Sequence, residues 1–210
     1  MRVLELEQGT PEWLAARAGK VTASRIDDVM AKIKTGEAAA RRDYRAQLVA
    51  EILTGRPQED GYVNAEMQWG IDTEPFARGA YEVAKSVLVD QVGLVLHPRI
   101  ERAAASPDGV VDDAGLVEIK CPKTATHLQY LLAGEVPARY RGQMLWQMAC
   151  AERAWCDFVS FDPRLSPELQ LFVVRFERDE ARIKAMEAEV LAFLAEVDAM
   201  LERLGALKAG

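Results

Sequence analysis

Residues 106–122 read SPDGVVDDAGLVEIKCP, and they constrain this chain more than any other stretch. Side chains alternate between the two faces of a β-strand. In Leu116-Val117-Glu118-Ile119-Lys120, Glu118 and Lys120 therefore share one face while Val117 and Ile119 take the other. The run is apolar enough for a buried strand, apart from two charges that point the same way. Asp112-Asp113-Ala114-Gly115 has turn chemistry, with Gly115 able to adopt a positive φ. Reversal there sets Asp108 beside Glu118, roughly 5 Å away across a strand pair.

Two carboxylates that close repel. At about 4 Å and an effective dielectric near 20, a like-charge pair costs roughly 4 kcal/mol. Such a pair persists when one group is protonated or when a cation lies between them. Oxygen ligands at this spacing suit Mg²⁺, with Mn²⁺ able to substitute, because these ions take one or two carboxylates and keep several waters. Lys120, one pleat along on the same face, is placed to orient or activate a water and to stabilise charge on a phosphate. The combination points to metal-assisted phosphodiester hydrolysis. The bare spacing also fits an ordinary surface hairpin closed by a Glu118–Lys120 ion pair. The apolar strand around the charges, and the flanking Ser106-Pro107-Asp108-Gly109 and Lys120-Cys121-Pro122, favour the metal site.

Bulk properties agree without choosing a function. The 210 residues suffice for one substantial core, so residues 1–210 read as a single domain. No apolar run approaches the ~20 residues of a membrane-spanning helix, and no signal-peptide pattern opens the chain, which leads us to expect a cytoplasmic protein. Cys121, Cys150 and Cys156 are widely spaced and odd in number, as expected of reduced thiols, and too few for an iron–sulfur cluster. With only His97 and His127, zinc or histidine-based chemistry is disfavoured. The net charge of −7 is unlike a generic nucleic-acid binder. It is unevenly spread, however. Lys32, Lys34, Arg41, Arg42 and Arg45 crowd one stretch and Arg139 and Arg141 another, while acidic residues gather near the C-terminus. That distribution is compatible with a locally basic channel through an acidic body.

Periodicity and capping predict the elements. Thr10 caps a short helix that begins at Pro11 and runs to about Ala18. Ser24 caps a second helix through Lys32. A third spans Glu37 to Leu53 and stops at Thr54-Gly55-Arg56-Pro57. A fourth covers Ala65–Lys85, with Pro75 forcing a kink or a restart. Strands are expected at Val87–Pro98, Ala103–Val111 and Leu116–Lys120, then helices at Thr124–Ala133 and Pro137–Ala151. Strands at Ala154–Phe161 and Leu169–Glu177 precede a long C-terminal helix from Asp179 to about Leu204. The fold class is α/β, a mixed central β-sheet flanked by helices. Gln143 and Gln147, four apart, share one helical face.

Several blocks, in order, carry a resemblance. They are Trp13 to Ser24 (WLAARAGKVTAS), Trp69-Gly70 through Glu74, Ser106 to Pro122, Tyr140 to Gln147 (YRGQMLWQ) and Phe161-Asp162-Pro163. Nearly the whole chain, from about Glu7 to the terminal helix, resembles the PD-(D/E)xK nuclease superfamily, and within it the phage lambda exonuclease and YqaJ-type viral recombinase family. The resemblance implies a restriction-endonuclease-like core and a Mg²⁺-dependent 5′-to-3′ exonuclease. Such an enzyme degrades one strand of linear double-stranded DNA to mononucleotides and leaves 3′ single-stranded tails. It implies two Mg²⁺ held by Asp108, Glu118, the Ile119 backbone carbonyl and Glu74, with Glu82, two turns along from Glu74, as the weaker alternative. It also implies Lys120 as the catalytic lysine and Gln143 as the active-site glutamine, with Gln147 secondary.

Arg17, Ser24 and Lys34 match positions that bind a 5′-phosphate in the family, though Lys34 stands where an arginine is expected. A serine at a helix start and an arginine fork are physically apt for a phosphate. Ser24 as a plain cap, and Arg17 packed over Trp13, are the simpler readings. The resemblance further implies a ring-shaped homotrimer around DNA, a single-strand annealing protein as partner, and a bacterial host cell. Three other readings compete: a PD-(D/E)xK endonuclease, a catalytically inactive DNA-binding member of the fold, and an enzyme acting on small phosphates.

Overall fold

The computed structural model describes residues 1–58 and 64–208. The chain runs β1 (Arg2–Leu4), α1 (Pro11–Arg17), β2 (Val21–Thr22), a 3₁₀ turn (Ala23–Arg25), α2 (Ile26–Met30), α3 (Ala39–Thr54) and α4 (Ala65–Lys85). It continues through β3 (Leu94–Leu96), β4 (Ala103–Ala105), β5 (Gly109–Val111), β6 (Gly115–Lys120), α5 (Thr124–Ala133) and α6 (Ala138–Ala151). β7 (Trp155–Phe161), a second 3₁₀ turn (Pro167–Leu169), β8 (Leu171–Glu177) and α7 (Glu180–Lys208) complete it.

The expected α/β architecture is present, but its strands form two mixed four-stranded sheets, ordered β1-β3-β4-β2 and β5-β6-β7-β8. The strand expected over Ala103–Val111 is broken, with β4 in one sheet and β5 in the other. The cause is local. Pro107 has no N–H to give a ladder, and the Ser106 hydroxyl accepts the Trp13 Nε1–H at 3.0 Å. The chain therefore crosses between sheets at residues 106–108, which places Asp108 at the junction. Of the strand expected over Val87–Pro98, only Leu94–Leu96 pairs as a strand, and Asp90 makes an isolated bridge to Val110.

The hairpin after β5 also turns differently from expectation. Asp112 takes the left-handed conformation (φ 48°), while Gly115 lies in β6 opposite Val111. An aspartate tolerates that region because its short side chain bonds locally. Gly109 is required by close approach, since a Cβ there would stand 2.1 Å from Val89 Cγ1.

Helices α4 and α5 have the expected bounds. Asn64 caps α4 by accepting the Met67 N–H at 2.9 Å. Pro75 neither ends nor restarts that helix. The carbonyl it orphans belongs to Ile71, whose residue is 58% exposed, so water can satisfy it. Ser24 does not cap a helix. It sits inside the 3₁₀ turn, and α2 is only five residues long.

Sheet β5-β6-β7-β8 is covered on both faces. Val117, Ile119 and Val159 pack with Ala77 and Tyr81 of α4. Leu116 and Phe158 point the other way, into the main core with Met144, Leu145 and Met148 of α6. The main core is closed by α7, which buries Ile183, Met186, Val190, Phe193 and Val197. Among the described residues no helix is long and apolar enough to cross a membrane.

Candidate active site

The alternation read from β6 is realised, and it directs the charges to α6. Glu118 is fully buried, and each of its oxygens is held. Gln143 Nε2 donates to Oε1 at 2.7 Å, and Gln147 Nε2 to Oε2 at 2.6 Å. The Lys120 ammonium is also ion-paired with Oε1. The i, i+4 pair of glutamines thus works as a two-pronged clamp, with Gln147, the secondary candidate, the more deeply buried of the two. Gln147→Leu strands a buried carboxylate oxygen, which should cost about 1–3 kcal/mol. Chemical denaturation is expected to show a lower midpoint; an unchanged midpoint would mean the second prong carries no load.

Asp108 lies beside this group as expected, with Oδ2 accepting the Ile119 N–H at 2.6 Å. Burial and then the Glu118 charge, with a smaller push from Glu74, raise its carboxyl to about 8. Lys120 and the Ile119 N–H pull the other way and lose. Lys120 is balanced differently. Burial disfavours its ammonium, yet the charges of Glu118 and Asp108 together hold its pKa above the ordinary lysine value. It is a cation at every pH of interest, suited to stabilising negative charge rather than to accepting a proton. Its Nζ also lies 5.5 Å from the centroid of the Tyr140 ring.

Strand register supplies an oxygen donor. Val110 exchanges hydrogen bonds with Asp90, so Gly109 and Val111 face β6, and with them Val117 and Ile119 face β5. A residue's N–H and C=O point to the same side, so the Ile119 carbonyl faces Asp108. Continuing the register sets Pro107, which lacks an N–H, opposite it. Glu74 approaches from α4 on the other side of β6. It is close enough for its charge to act on Asp108, while Arg78 Nη2 holds its Oε1 at 2.5 Å. Glu82 instead caps the stretch after α4, accepting the Val89 N–H at 2.8 Å.

This donor set fits a small hard cation. Among the described residues no three His, Cys, Asp or Glu side chains converge into a closed cage. Mg²⁺ does not need one, since one or two carboxylates and waters satisfy it. A carboxylate offers about four lone-pair positions. Gln143, Lys120 and Gln147 occupy three on Glu118, which leaves one on Oε2. An all-oxygen set with one carboxyl forced towards protonation is what a cation would relieve.

The predicted phosphate residues are only partly gathered. Arg17 ends α1 with its guanidinium 4.1 Å over the Trp13 ring. It lines a cavity with Lys20, Thr22, Tyr44 and Gln47, and also with the buried Glu51, whose carboxylate accepts the Gly19 N–H at 2.8 Å. Ser24 Oγ lies 3.4 Å from Thr22 Oγ1 and is exposed. Lys34 is exposed in the segment between α2 and α3 and does not line that cavity.

The basic stretch does not form a free channel either. Lys32 pairs with Glu189 at 2.5 Å, Arg41 with Glu196 at 2.7 Å, and Arg45 with Glu196 at 2.8 Å. The acidic face of α7 neutralises these three, and Arg42 pairs with Asp43.

Two features lie in blocks that carry the resemblance, but the sequence assigns them no role. Tyr140 opens the YRGQMLWQ block one turn before Gln143, and that spacing was its signal. The Phe161-Asp162-Pro163 block has a structural use. Buried Asp162 is held to about 2, because hydrogen bonds led by the Arg164 fork outweigh its burial. Arg164 in turn donates to the Pro122 carbonyl at 3.0 Å and lies 4.6 Å over Trp69, tying the end of β6 to α4.

Comparison with known proteins matches this geometry to a family. The chain is similar to an alkaline exonuclease, LHK-Exo, from Laribacter hongkongensis, at 49% identity and a TM-score of 0.88 over 95% of this chain and 98% of that one. A structure of LHK-Exo in complex with dAMP matches equally. A phage related exonuclease from Haemophilus somnus, 16% identical, shares the fold with a TM-score of 0.70 over 88% of this chain and 96% of its own. No curated protein matches the chain. The model of the YqaJ-like viral recombinase domain matches residues 12–154, and the chain belongs to that family.

Proposed function

We propose that the protein is a Mg²⁺-dependent 5′-to-3′ exonuclease that degrades one strand of linear double-stranded DNA to mononucleotides. The carboxylate pair Asp108/Glu118 closed by Lys120 carries the reading, in a chain 49% identical to an alkaline exonuclease over nearly its full length. A relative crystallised with a deoxynucleoside monophosphate supports mononucleotide release.

Asp108, Glu118 and the Ile119 carbonyl would hold Mg²⁺ or Mn²⁺, and Glu74 would complete a second position. A metal bound there would supply Lewis-acid polarisation of the phosphodiester and a more nucleophilic water. The Gln143/Gln147 clamp fixes the angle of Glu118. Lys120, released in part from Glu118, orients the attacking water and offsets charge on the phosphate. Water adds to the scissile phosphorus as the 3′-oxygen of the terminal nucleotide leaves and takes up a proton, so a mononucleotide with a 3′-hydroxyl departs and the phosphate stays on the new 5′ end.

Arg17 and Ser24, with Lys34 from its neighbouring segment, receive that 5′-phosphate. A homotrimeric ring enclosing the duplex would give processivity despite the net charge of −7. A single-strand annealing protein would take up the 3′ tail, in the cytoplasm of a bacterial host.

Linear duplex labelled at the 5′ or the 3′ end, incubated with Mg²⁺ beside a covalently closed circle, tests the reading. Early release of labelled mononucleotide from the 5′ end alone, with the circle intact, is the expected result. Cutting of the circle would make the enzyme an endonuclease. Arg17→Ala is expected to slow digestion of 5′-phosphorylated ends about tenfold, the scale of one lost charge-assisted bond, and to erase their advantage over 5′-hydroxyl ends. Equal slowing of both kinds of end would remove Arg17 from the phosphate pocket.

A further inference from the structure

Most arginines near the site end on a carboxylate: Arg78 on Glu74, Arg141 on Glu135 and Arg164 on Asp162. Arg139 does not. Among the described residues its one hydrogen bond runs from Nη2 to the Tyr130 hydroxyl, and no Asp or Glu pairs with it. Its guanidinium lies 4.6 Å over the Tyr140 ring and 5.7 Å from the Tyr130 centroid. The residue is exposed, yet two aromatic rings and a hydroxyl fix where its fork stands.

Its placement is electrostatically costly. Arg139 occupies the first turn of α6, where the positive end of the helix dipole disfavours a cation, and that turn contains no acidic residue to offset it. The Tyr140 ring also borders the Lys120 ammonium, and it stacks on Phe158 at 5.4 Å. One ring braced against the core therefore carries two cations. Lys120 faces the carboxylates, and Arg139 faces solvent.

A planar fork held in place, left uncompensated and exposed beside a phosphodiesterase centre matches a bidentate phosphate. We infer that Arg139 anchors a backbone phosphate of the bound DNA next to the scissile one, with Tyr130 and Tyr140 as its positioning residues. The inference rests on the nuclease reading above. The contact is indifferent to base sequence, because a phosphate contact fixes register without reading bases. It complements the 5′-phosphate pocket, since it holds the strand at the cutting site rather than at its end.

The test compares wild type, Arg139→Gln and Arg139→Lys on linear duplex across a series of salt concentrations, with Tm recorded for each. Glutamine retains a donor for Tyr130 but removes the charge. Arg139→Gln is expected to raise KM about tenfold, with kcat within about twofold, since one charge-assisted contact is lost from binding. The plot of log(kcat/KM) against log[salt] should become shallower by about 0.9, the slope carried by one phosphate. Arg139→Lys should recover that slope but only part of KM, because it lacks the fork. KM and slope unchanged in Arg139→Gln would overturn the anchor. So would equal impairment of both variants with a lowered Tm, which would mean packing alone. A wild type that leaves linear duplex intact would instead bring down the nuclease reading, and the anchor with it.

Discussion

Lys120→Ala is expected to lower Mg²⁺-dependent hydrolysis of linear duplex by about 10²–10⁴-fold, the range for losing a positioned electrostatic or proton-handling group. DNA affinity should stay within a few-fold. The reason is the division of labour in the site. Lys120 touches Glu118 and lies along Tyr140, deep beside the carboxylates, and the proposed mechanism sets it on the reacting phosphate. Binding is spread over many phosphate contacts, of which it supplies one. Initial rates and gel-shift titrations in EDTA separate the two quantities. Cleavage retained by the variant would take Lys120 out of the chemistry, and a parallel collapse of binding would make it a docking residue.

Asp108→Asn is expected to abolish hydrolysis while stabilising the metal-free protein at alkaline pH. In the folded chain burial and Glu118 keep the Asp108 proton on up to about 8, against an ordinary carboxylate value of 3.8. Between those values the folded state binds more protons than the unfolded state, so stability falls as pH rises. The loss is complete once pH passes about 8. Asparagine removes the charge and keeps an oxygen to accept the Ile119 N–H. In EDTA at pH 9 its Tm should exceed wild type by about 2–6 °C, and the gap should close towards pH 4; solvent at the half-buried site tempers the effect. Added Mg²⁺ should raise the wild-type Tm and leave the variant unmoved. A variant less stable than wild type at pH 9 would mean the carboxylate pair is not strained. On the proposed reading the arrangement trades stability for function.

The hairpin chemistry was legible because it is local. Alternation along Leu116–Lys120 fixed which side chains meet, and turn residues brought Asp108 to Glu118. Helices α4 and α5 were legible from capping and composition, and the Gln143/Gln147 pair from its spacing of four. Partners far apart in sequence were not. The division into two sheets depends on Pro107 together with the hydrogen bond from Trp13 to Ser106. Strand β1 is three residues long and is defined by pairing with β3. The stretch from Lys32 to Arg45 looked basic because composition does not reveal Glu189 and Glu196, over 140 residues away, folding onto it. Ser24 looked like a cap because Ser commonly caps, whereas here Thr22 and Tyr44 organise that turn: Tyr44 Oη accepts the Thr22 N–H at 3.2 Å. Arg139 was visible as a charge, but its lack of a carboxylate is a property of the folded chain.

The central claim is that Asp108, Glu118 and Lys120 form one metal-dependent centre that cuts DNA. Release of acid-soluble nucleotide from linear duplex should be measured for wild type, Asp108→Asn and Lys120→Ala, each with Mg²⁺ and with EDTA. Release by wild type in Mg²⁺ alone, and by neither variant in either condition, is the predicted result. Release that survives EDTA, or that either variant retains at the wild-type rate, would contradict it.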